Sequence, residues 1–112
     1  MEKAEWLSQV RRGILEYSIM LILSNKEMYG YELISTLSKW EVLSTTEGTV
    51  YPLLKQLEKD NLIKFTWKNS VEGLPPRKYY CLTEEGNNFL SLMDNDWENL
   101  ITSINQIKDK KL

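Results

Sequence analysis

Two short stretches of alternating polar and apolar residues interrupt a chain whose other patterns are helical. IKFTWK and RKYYCLT are rich in aromatic and β-branched residues, which favour strands. The segment NSVEGLPP between them carries Gly73, Pro75 and Pro76, which support neither a strand nor a helix. The pattern predicts one β-hairpin with a long projecting tip in a mainly helical chain.

Apolar residues recur at helical spacing in four segments around this hairpin. The first spans residues 5–23, and the second covers YGYELISTLSKW, through Trp40. The third begins at residue 44, and the fourth runs from residue 84 to about residue 110 after the capping residue Thr83. Helix, helix, helix, hairpin, helix is the order of a winged helix-turn-helix with a C-terminal extension. The expected fold class is therefore mainly α with a small β-hairpin.

The third helix has two halves of different character. Its second half carries an apolar stripe on one face and charged residues on the other, as a packed helix does. Its first half exposes small or hydroxyl-bearing groups of little use in a core. Ser44 and Glu47 match a capping box, which gives Glu47 a structural role that competes with a base contact. Pro52 removes one helical hydrogen bond, so the helix begins later than Ser44 or its first turn is irregular. A purely structural role, in which the proline marks the start of the helix, explains Pro52 equally well.

In a helix-turn-helix the second helix enters the major groove with its N-terminal residues at base edges. We therefore expect the first half of the third helix to contact DNA, with Gly48 admitting a close approach of the backbone. Thr46 and Thr49 would reach a phosphate or a thymine methyl, and Tyr51 offers a phenol. The full set of candidate DNA contacts is Tyr31, Thr46, Glu47, Gly48, Thr49, Tyr51, Pro52, Lys55, Lys64, Lys68, Arg77 and Lys78.

The distribution of charge along the chain supports DNA binding better than the net charge does. The formal net charge of -2 is unusual for a nucleic-acid partner, but residues 61–82 hold four basic residues against one acid, Glu72. Acidic residues are instead concentrated in the C-terminal helix. The hairpin then supplies a second contact, along the DNA backbone or in the minor groove, with Arg77 as its first candidate. The same fold also serves in protein-interaction modules that bind no DNA, and that alternative stays open.

Several classes of function are disfavoured by composition. The chain has no histidine, so histidine-based metal sites, triads and proton shuttles are absent, and no nucleophile with a base can be named. We expect no enzyme, no cofactor and no metal. The single cysteine, Cys81, alternates with tyrosines, which favours packing over redox chemistry. The most apolar stretch, residues 14–23, is short for a membrane span and the N-terminus lacks a signal-peptide layout, so we expect a cytoplasmic protein.

The last helix carries a heptad-like apolar seam that is longer than a small domain covers by itself. We therefore expect a homodimer, with a winged helix-turn-helix domain at residues 1–82 and a dimerisation helix at residues 83–112. Two recognition helices related by a two-fold axis require an inverted-repeat operator. The predicted dimer interface is Trp6, Val10, Phe89, Met93, Trp97, Leu100, Ile104 and Ile107.

Three blocks of the sequence resemble the PadR family of bacterial transcriptional regulators. They are YGYEL at 29–33, EGTVYPLLKQLEKDNLI at 47–63 and PRKYYCLTEEG at 76–86, in the order and spacing of the family. The resemblance implies a winged helix-turn-helix homodimer, usually a repressor, whose inducer is often a small aromatic or lipophilic molecule. The family's commoner EKDGLI reads EKDNLI here, and Asn61 tolerates the same left-handed backbone.

The single long C-terminal helix is similar to the compact subgroup of the family, in which a tryptophan on that helix can line a ligand cavity between subunits. Trp97 stands at the matching distance after LTEEG. Two indoles near the symmetry axis would sandwich a planar aromatic ligand, whereas a tryptophan in a heptad seam also fits the dimer core, and both interpretations stay open. The predicted ligand contacts are Trp97, Met93, Val10 and Leu100.

Overall fold

The computed structural model describes residues 3–112, so Met1 and Glu2 of the predicted N-terminal domain lie outside the described residues. The elements are α1 (Lys3–Asn25), α2 (Gly30–Leu37), a 3₁₀ turn (Glu41–Leu43), α3 (Glu47–Lys59), β1 (Ile63–Lys68), β2 (Arg77–Leu82) and α4 (Glu84–Lys108). Their order and type confirm the predicted fold class. Among the described residues, no helix combines the length and the hydropathy that a membrane crossing requires.

The hydrophobic core lies where α1, α2, α3 and the hairpin meet. Each element contributes the apolar face that its periodicity predicted, and α1 is enclosed on nearly all sides through its second half because its apolar residues surround the helix there. The fully or almost fully buried side chains are Leu15, Ile19, Met20, Leu23, Leu33, Leu37, Val50, Leu54, Leu57, Ile63, Tyr80 and Leu90.

The hairpin is antiparallel and has two chemically different faces. Its register runs from Ile63 opposite Leu82 to Lys68 opposite Arg77, and Met28 adds a bridge to Tyr80 on the far edge of β2. Side chains alternate between the faces of a sheet. The inner face, which reaches the core, carries Ile63, Phe65, Trp67, Lys78, Tyr80 and Leu82; the outer face carries Lys64, Thr66, Lys68, Arg77, Tyr79 and Cys81.

Two predicted helix boundaries are wrong. Helix α2 ends at Leu37, and the amide of Trp40 donates to the Leu37 carbonyl at 3.1 Å in the following turn, so Trp40 is an exposed residue beyond the helix. The capping box of Ser44 and Glu47 does not form either. The Ser44 amide closes the 3₁₀ turn by donating to Glu41 at 3.1 Å, and Glu47 becomes the first residue of α3.

Thr46 is therefore the N-cap residue of α3. Its carbonyl accepts from the amides of Thr49 and Val50 at 3.1 and 3.0 Å. The later start agrees with one of the two expectations for Pro52, which lies inside a continuous helix. The carbonyl that loses its usual donor at Pro52 belongs to Gly48, four residues before it.

The start of α4 is packed against the turn that precedes β1. The Thr83 hydroxyl accepts from the Gly86 amide at 2.9 Å and donates to the Asn61 carbonyl at 2.6 Å, which confirms the predicted cap. Asn61 adopts the left-handed conformation, with φ of 60°. A Cβ at Gly86 would lie 1.9 Å from the Leu62 carbonyl oxygen, so only glycine fits there. The first turns of α4 thus belong to the same packed body, while its exposed second half extends away from it.

Candidate nucleic-acid interface

The exposed side of α3 is determined by the buried side. Val50, Leu54 and Leu57 point into the core. With 3.6 residues per turn, the opposite side of the helix carries the outer stripe, which we define as Gly48, Pro52, Lys55, Gln56 and Lys59. All five are exposed. The outer stripe includes three predicted contacts and adds Gln56 and Lys59, whose spacing from Pro52 and Lys55 already indicated that they share this face.

Tyr51 lies on the flank of α3 that faces α2. A Cβ built on Gly30 would fall 2.6 Å from the Tyr51 ring, so the ring rests on the first residue of α2. Tyr51 is still 45% exposed, and Tyr31 on α2 is 60% exposed. Both predicted residues therefore remain accessible, on one flank of the outer stripe. Burial raises the pKa of the nearby Tyr80 phenol, and the negative charge of Glu58 adds to that effect.

The other flank of α3 borders an open cleft of about 670 Å³ between α3 and the first half of α1. Thr46, Thr49 and Pro52 line it from α3, and Arg11 and Arg12 line it from α1. Sequence reasoning missed the two arginines. The pair of adjacent arginines in α1 was the available signal, but nothing in the sequence placed it beside α3.

The hairpin does not bring its four basic residues onto one face. Lys64, Lys68 and Arg77 lie on the outer face, whereas Lys78 lies on the inner face, with its Nζ 4.3 Å from the centre of the Phe65 ring. The Lys78 ammonium also lies 5.5 Å from the ring of Trp67, which is 61% exposed. Lys78 is therefore grouped with aromatic residues and separated from the other three cations.

Two of the three outer-face cations, Arg77 and Lys68, make side-chain contacts within the chain. The Arg77 guanidinium lies 4.4 Å from the centre of the Tyr29 ring, a cation–π geometry. Lys68 forms an ion pair with Glu27 and lies 5.1 Å from the Tyr79 ring. These contacts tie the loop end of the hairpin to the connection between α1 and α2. They leave the cations partly accessible, since the Lys68 side chain is 46% exposed.

Trp97 is in contact with its own chain. Its ring centre lies 5.8 Å from that of Tyr17 on α1, and the Tyr17 hydroxyl donates to the Asp94 carboxylate at 2.6 Å. Burial, followed by the hydrogen bond to Asp94, raises the pKa of Tyr17 to about 12. Tyr17, Asp94 and Trp97 thus join α1 to α4 at the point where α4 leaves the packed body.

The other residues of the predicted dimer interface divide into two groups. Phe89 and Met93 are half-buried, whereas Trp6, Val10 and the last three seam residues are exposed. Two further exposed apolar residues of α4, Leu92 and Ile101, were not included in the seam. The exposed seam residues are Leu100, Ile104 and Ile107.

Comparison with known proteins identifies the family. Residues 19–92 match the profile of the Transcriptional regulator PadR-like family. The chain is 43% identical to a PadR-like transcription factor of Bacteroides fragilis, with a TM-score of 0.76, over 89% of this chain and 95% of the other. It is 39% identical to a PadR-like transcriptional regulator of Bacillus cereus, with a TM-score of 0.79, over 88% of this chain and 95% of the other. A Streptococcus transcriptional regulator is 37% identical, with a TM-score of 0.78, over 89% and 97% of the two chains. The chain therefore belongs to the PadR-like family, and it is a transcriptional regulator rather than an enzyme.

Proposed function

We propose that this regulator binds double-stranded DNA as a homodimer and represses transcription from an inverted-repeat operator, in the cytoplasm. The outer stripe of α3 carries the proposal. It is an exposed helical face with Lys55, Gln56 and Lys59, and its one apolar side chain is the Pro52 ring. Lysine and glutamine are donors to phosphates and base edges, and Gly48 leaves the backbone accessible at the N-terminal end of the same stripe.

The hairpin supports the proposal as a second contact. Arg77 and Lys68 lie at the base of the hairpin tip, where they contact aromatic rings and Glu27. Holding a cation in place before binding reduces the conformational entropy lost when it meets a phosphate. We infer that the outer face of the hairpin lies along the DNA backbone, and that Lys78 on the inner face contributes less.

The homodimer is supported by apolar side chains that the rest of the chain does not cover. Leu100, Ile104 and Ile107 are between 50% and 59% exposed on α4, and Trp6 is 60% exposed on α1. Apolar residues in a continuous stripe are typical of a protein interface. We infer that the α4 seams and the α1 residues of two copies cover one another, which places two α3 helices in a symmetric arrangement.

We also propose a small planar aromatic ligand near Trp97 that releases the operator. The support is an indole that is half-buried beside Tyr17, at the edge of the proposed dimer seam. A planar ligand would stack on these rings and would act only by binding the DNA-competent and DNA-incompetent dimers unequally. Titration of planar dyes, followed by tryptophan emission in wild type and Trp97→Phe, tests this part separately from DNA binding.

The central proposal is tested by letting the pure protein select fragments of genomic DNA, which are then sequenced. We expect enrichment of fragments that share an inverted repeat with half-sites about 10 bp apart. Anisotropy on one such fragment should show weaker binding for Lys55→Gln, whereas Lys108→Gln at the end of α4 should match wild type. The absence of any enriched fragment would favour the alternative, a winged-helix module that binds other proteins.

A further inference from the structure

Arg11 contains a buried donor for which the described part of the chain offers no acceptor. Its Nε is shielded from solvent and makes no hydrogen bond to any of the described residues. Buried polar atoms in folded proteins almost always have a partner, and a guanidinium cannot lose its charge to avoid the cost. The unpartnered Nε lies in a side chain that lines the cleft between α1 and α3. Because Arg11 lines the cleft, a rotation of its side chain would present this donor to an acceptor that enters the cleft.

The rest of the cleft favours an anion as that acceptor. Arg12 lines the same wall as Arg11, and neither arginine forms a salt bridge with the described part of the chain. Thr46 and Thr49 add hydroxyl groups, and the Thr46 side chain makes no capping hydrogen bond to the start of α3. Glu16 is the one carboxylate among the described lining residues, so the two guanidinium groups leave this lining with an excess of positive charge.

The dimer proposed above would leave this cleft open. Trp6, Val10 and Tyr17 follow one another along α1 on the side opposite Arg11 and Arg12, given 3.6 residues per turn. Tyr17 already contacts α4 on that side. A partner subunit that covers Trp6 and Val10 would therefore approach α1 from the side away from the cleft.

The position of the cleft beside the outer stripe suggests where its anion comes from. A helix is about 10–12 Å across and the major groove is about 12 Å wide, so a helix in the groove faces a phosphate backbone on each flank. Tyr31 and Tyr51 occupy one flank of α3, and the cleft occupies the other. We propose that Arg11 and Arg12 bind phosphates of the DNA backbone in this cleft, as a contact from α1 in addition to those of α3 and the hairpin. The proposal rests on the proposed DNA binding.

The dependence of DNA affinity on salt tests this assignment, because each phosphate neutralised contributes about 0.9 to the slope of log affinity against log salt concentration. Both subunits of the proposed dimer carry the two arginines, so Arg11→Gln/Arg12→Gln removes four phosphate contacts. Measured by anisotropy on a selected genomic fragment, it should lower the magnitude of the slope by about 3.6. Lys108→Gln/Lys111→Gln removes the same charge from the end of α4 and should leave the slope unchanged. Arg11→Lys/Arg12→Lys should retain most of the wild-type slope, because lysine still neutralises a phosphate.

Each other outcome is decisive. If the wild-type protein binds no DNA, both the proposed function and the arginine contact are wrong. If the wild-type protein binds DNA but Arg11→Gln/Arg12→Gln shows the same salt slope, only the arginine contact is wrong. If circular dichroism shows that the double variant is unfolded, Arg12→Gln replaces it, since Arg12 is exposed. Its loss from both subunits should lower the magnitude of the slope by about 1.8. Saturable calorimetric binding of inorganic phosphate without DNA, with an unchanged DNA slope in Arg12→Gln, would assign the cleft to a free anion and overturn the backbone contact.

Discussion

Replacing Gly48 with alanine should strengthen the fold and weaken the proposed DNA complex at the same time. Gly48 is the second residue of α3, and the nearest atom to a Cβ built there is the Thr46 hydroxyl oxygen at 3.7 Å, an ordinary contact. Alanine is favoured over glycine in a helix by up to about 1 kcal/mol. Because the folded chain has room for the methyl group, Gly48→Ala should raise the free energy of unfolding by about 0.5–1 kcal/mol.

The same methyl group would stand on the outer stripe, between α3 and DNA. Inserting a methyl group into a close contact costs about 1–3 kcal/mol, which corresponds to about 5- to 150-fold weaker binding for each half-site. Urea unfolding followed by circular dichroism measures the first effect, and anisotropy on a selected genomic fragment measures the second. Asn95→Ala, at an exposed position of α4, is the control: it should also stabilise the helix but leave DNA affinity unchanged.

Two results would refute this reasoning at different steps. A lower free energy of unfolding for Gly48→Ala would show that the folded chain itself requires the glycine. An unchanged DNA affinity would show that the backbone of α3 does not approach DNA at Gly48, and the outer stripe would lose its N-terminal end.

Three further predictions concern the packing of α4. Gly86→Ala should lower the free energy of unfolding by about 3 kcal/mol, because its Cβ would lie 1.9 Å from the Leu62 carbonyl oxygen; an unchanged urea midpoint would contradict this. Since the pKa of Tyr17 is raised to about 12 by burial and by Asp94, its stabilising contribution is complete below about pH 10 and is lost as the pH rises through about 12. The difference in urea stability between wild type and Tyr17→Phe should therefore shrink over that range, and a constant difference would disprove the assignment. Ile104→Lys should sediment as a monomer where wild type sediments as a dimer; a monomeric wild type would remove the dimer.

The helices and strands of the fold could be predicted from local patterns of residues in the sequence. The alternation in IKFTWK and RKYYCLT predicted β1 and β2, and the threonine before two glutamates predicted the start of α4 at Glu84. These signals are local because backbone conformation and capping depend on residues a few positions apart. The resemblance of three blocks to PadR regulators pointed to the same architecture, which the family match confirms.

Local signals failed where two of them competed for the same residues. Ser44 and Glu47 have the spacing of a capping box, but Ser44 closes the 3₁₀ turn that follows Trp40, and the helix starts at Glu47. Trp40 continued the apolar spacing of α2, yet the chain turns after Leu37. In both cases the connection between α2 and α3 determined the boundary, and a pattern within one helix carries no information about that connection.

The tertiary structure decided which residues of other elements join each candidate site. Periodicity assigns side chains to faces of one element, but it does not say which neighbouring element covers each face. Tyr17 and Asp94 are 77 residues apart in sequence and share a hydrogen bond. Arg11 and Arg12 reach the flank of α3 only because α1 and α3 enclose the same cleft. The sequence by itself determined the helices, the hairpin and the exposed stripe of α3; long-range packing determined which cations accompany that stripe, because packing brings together residues that no local period relates.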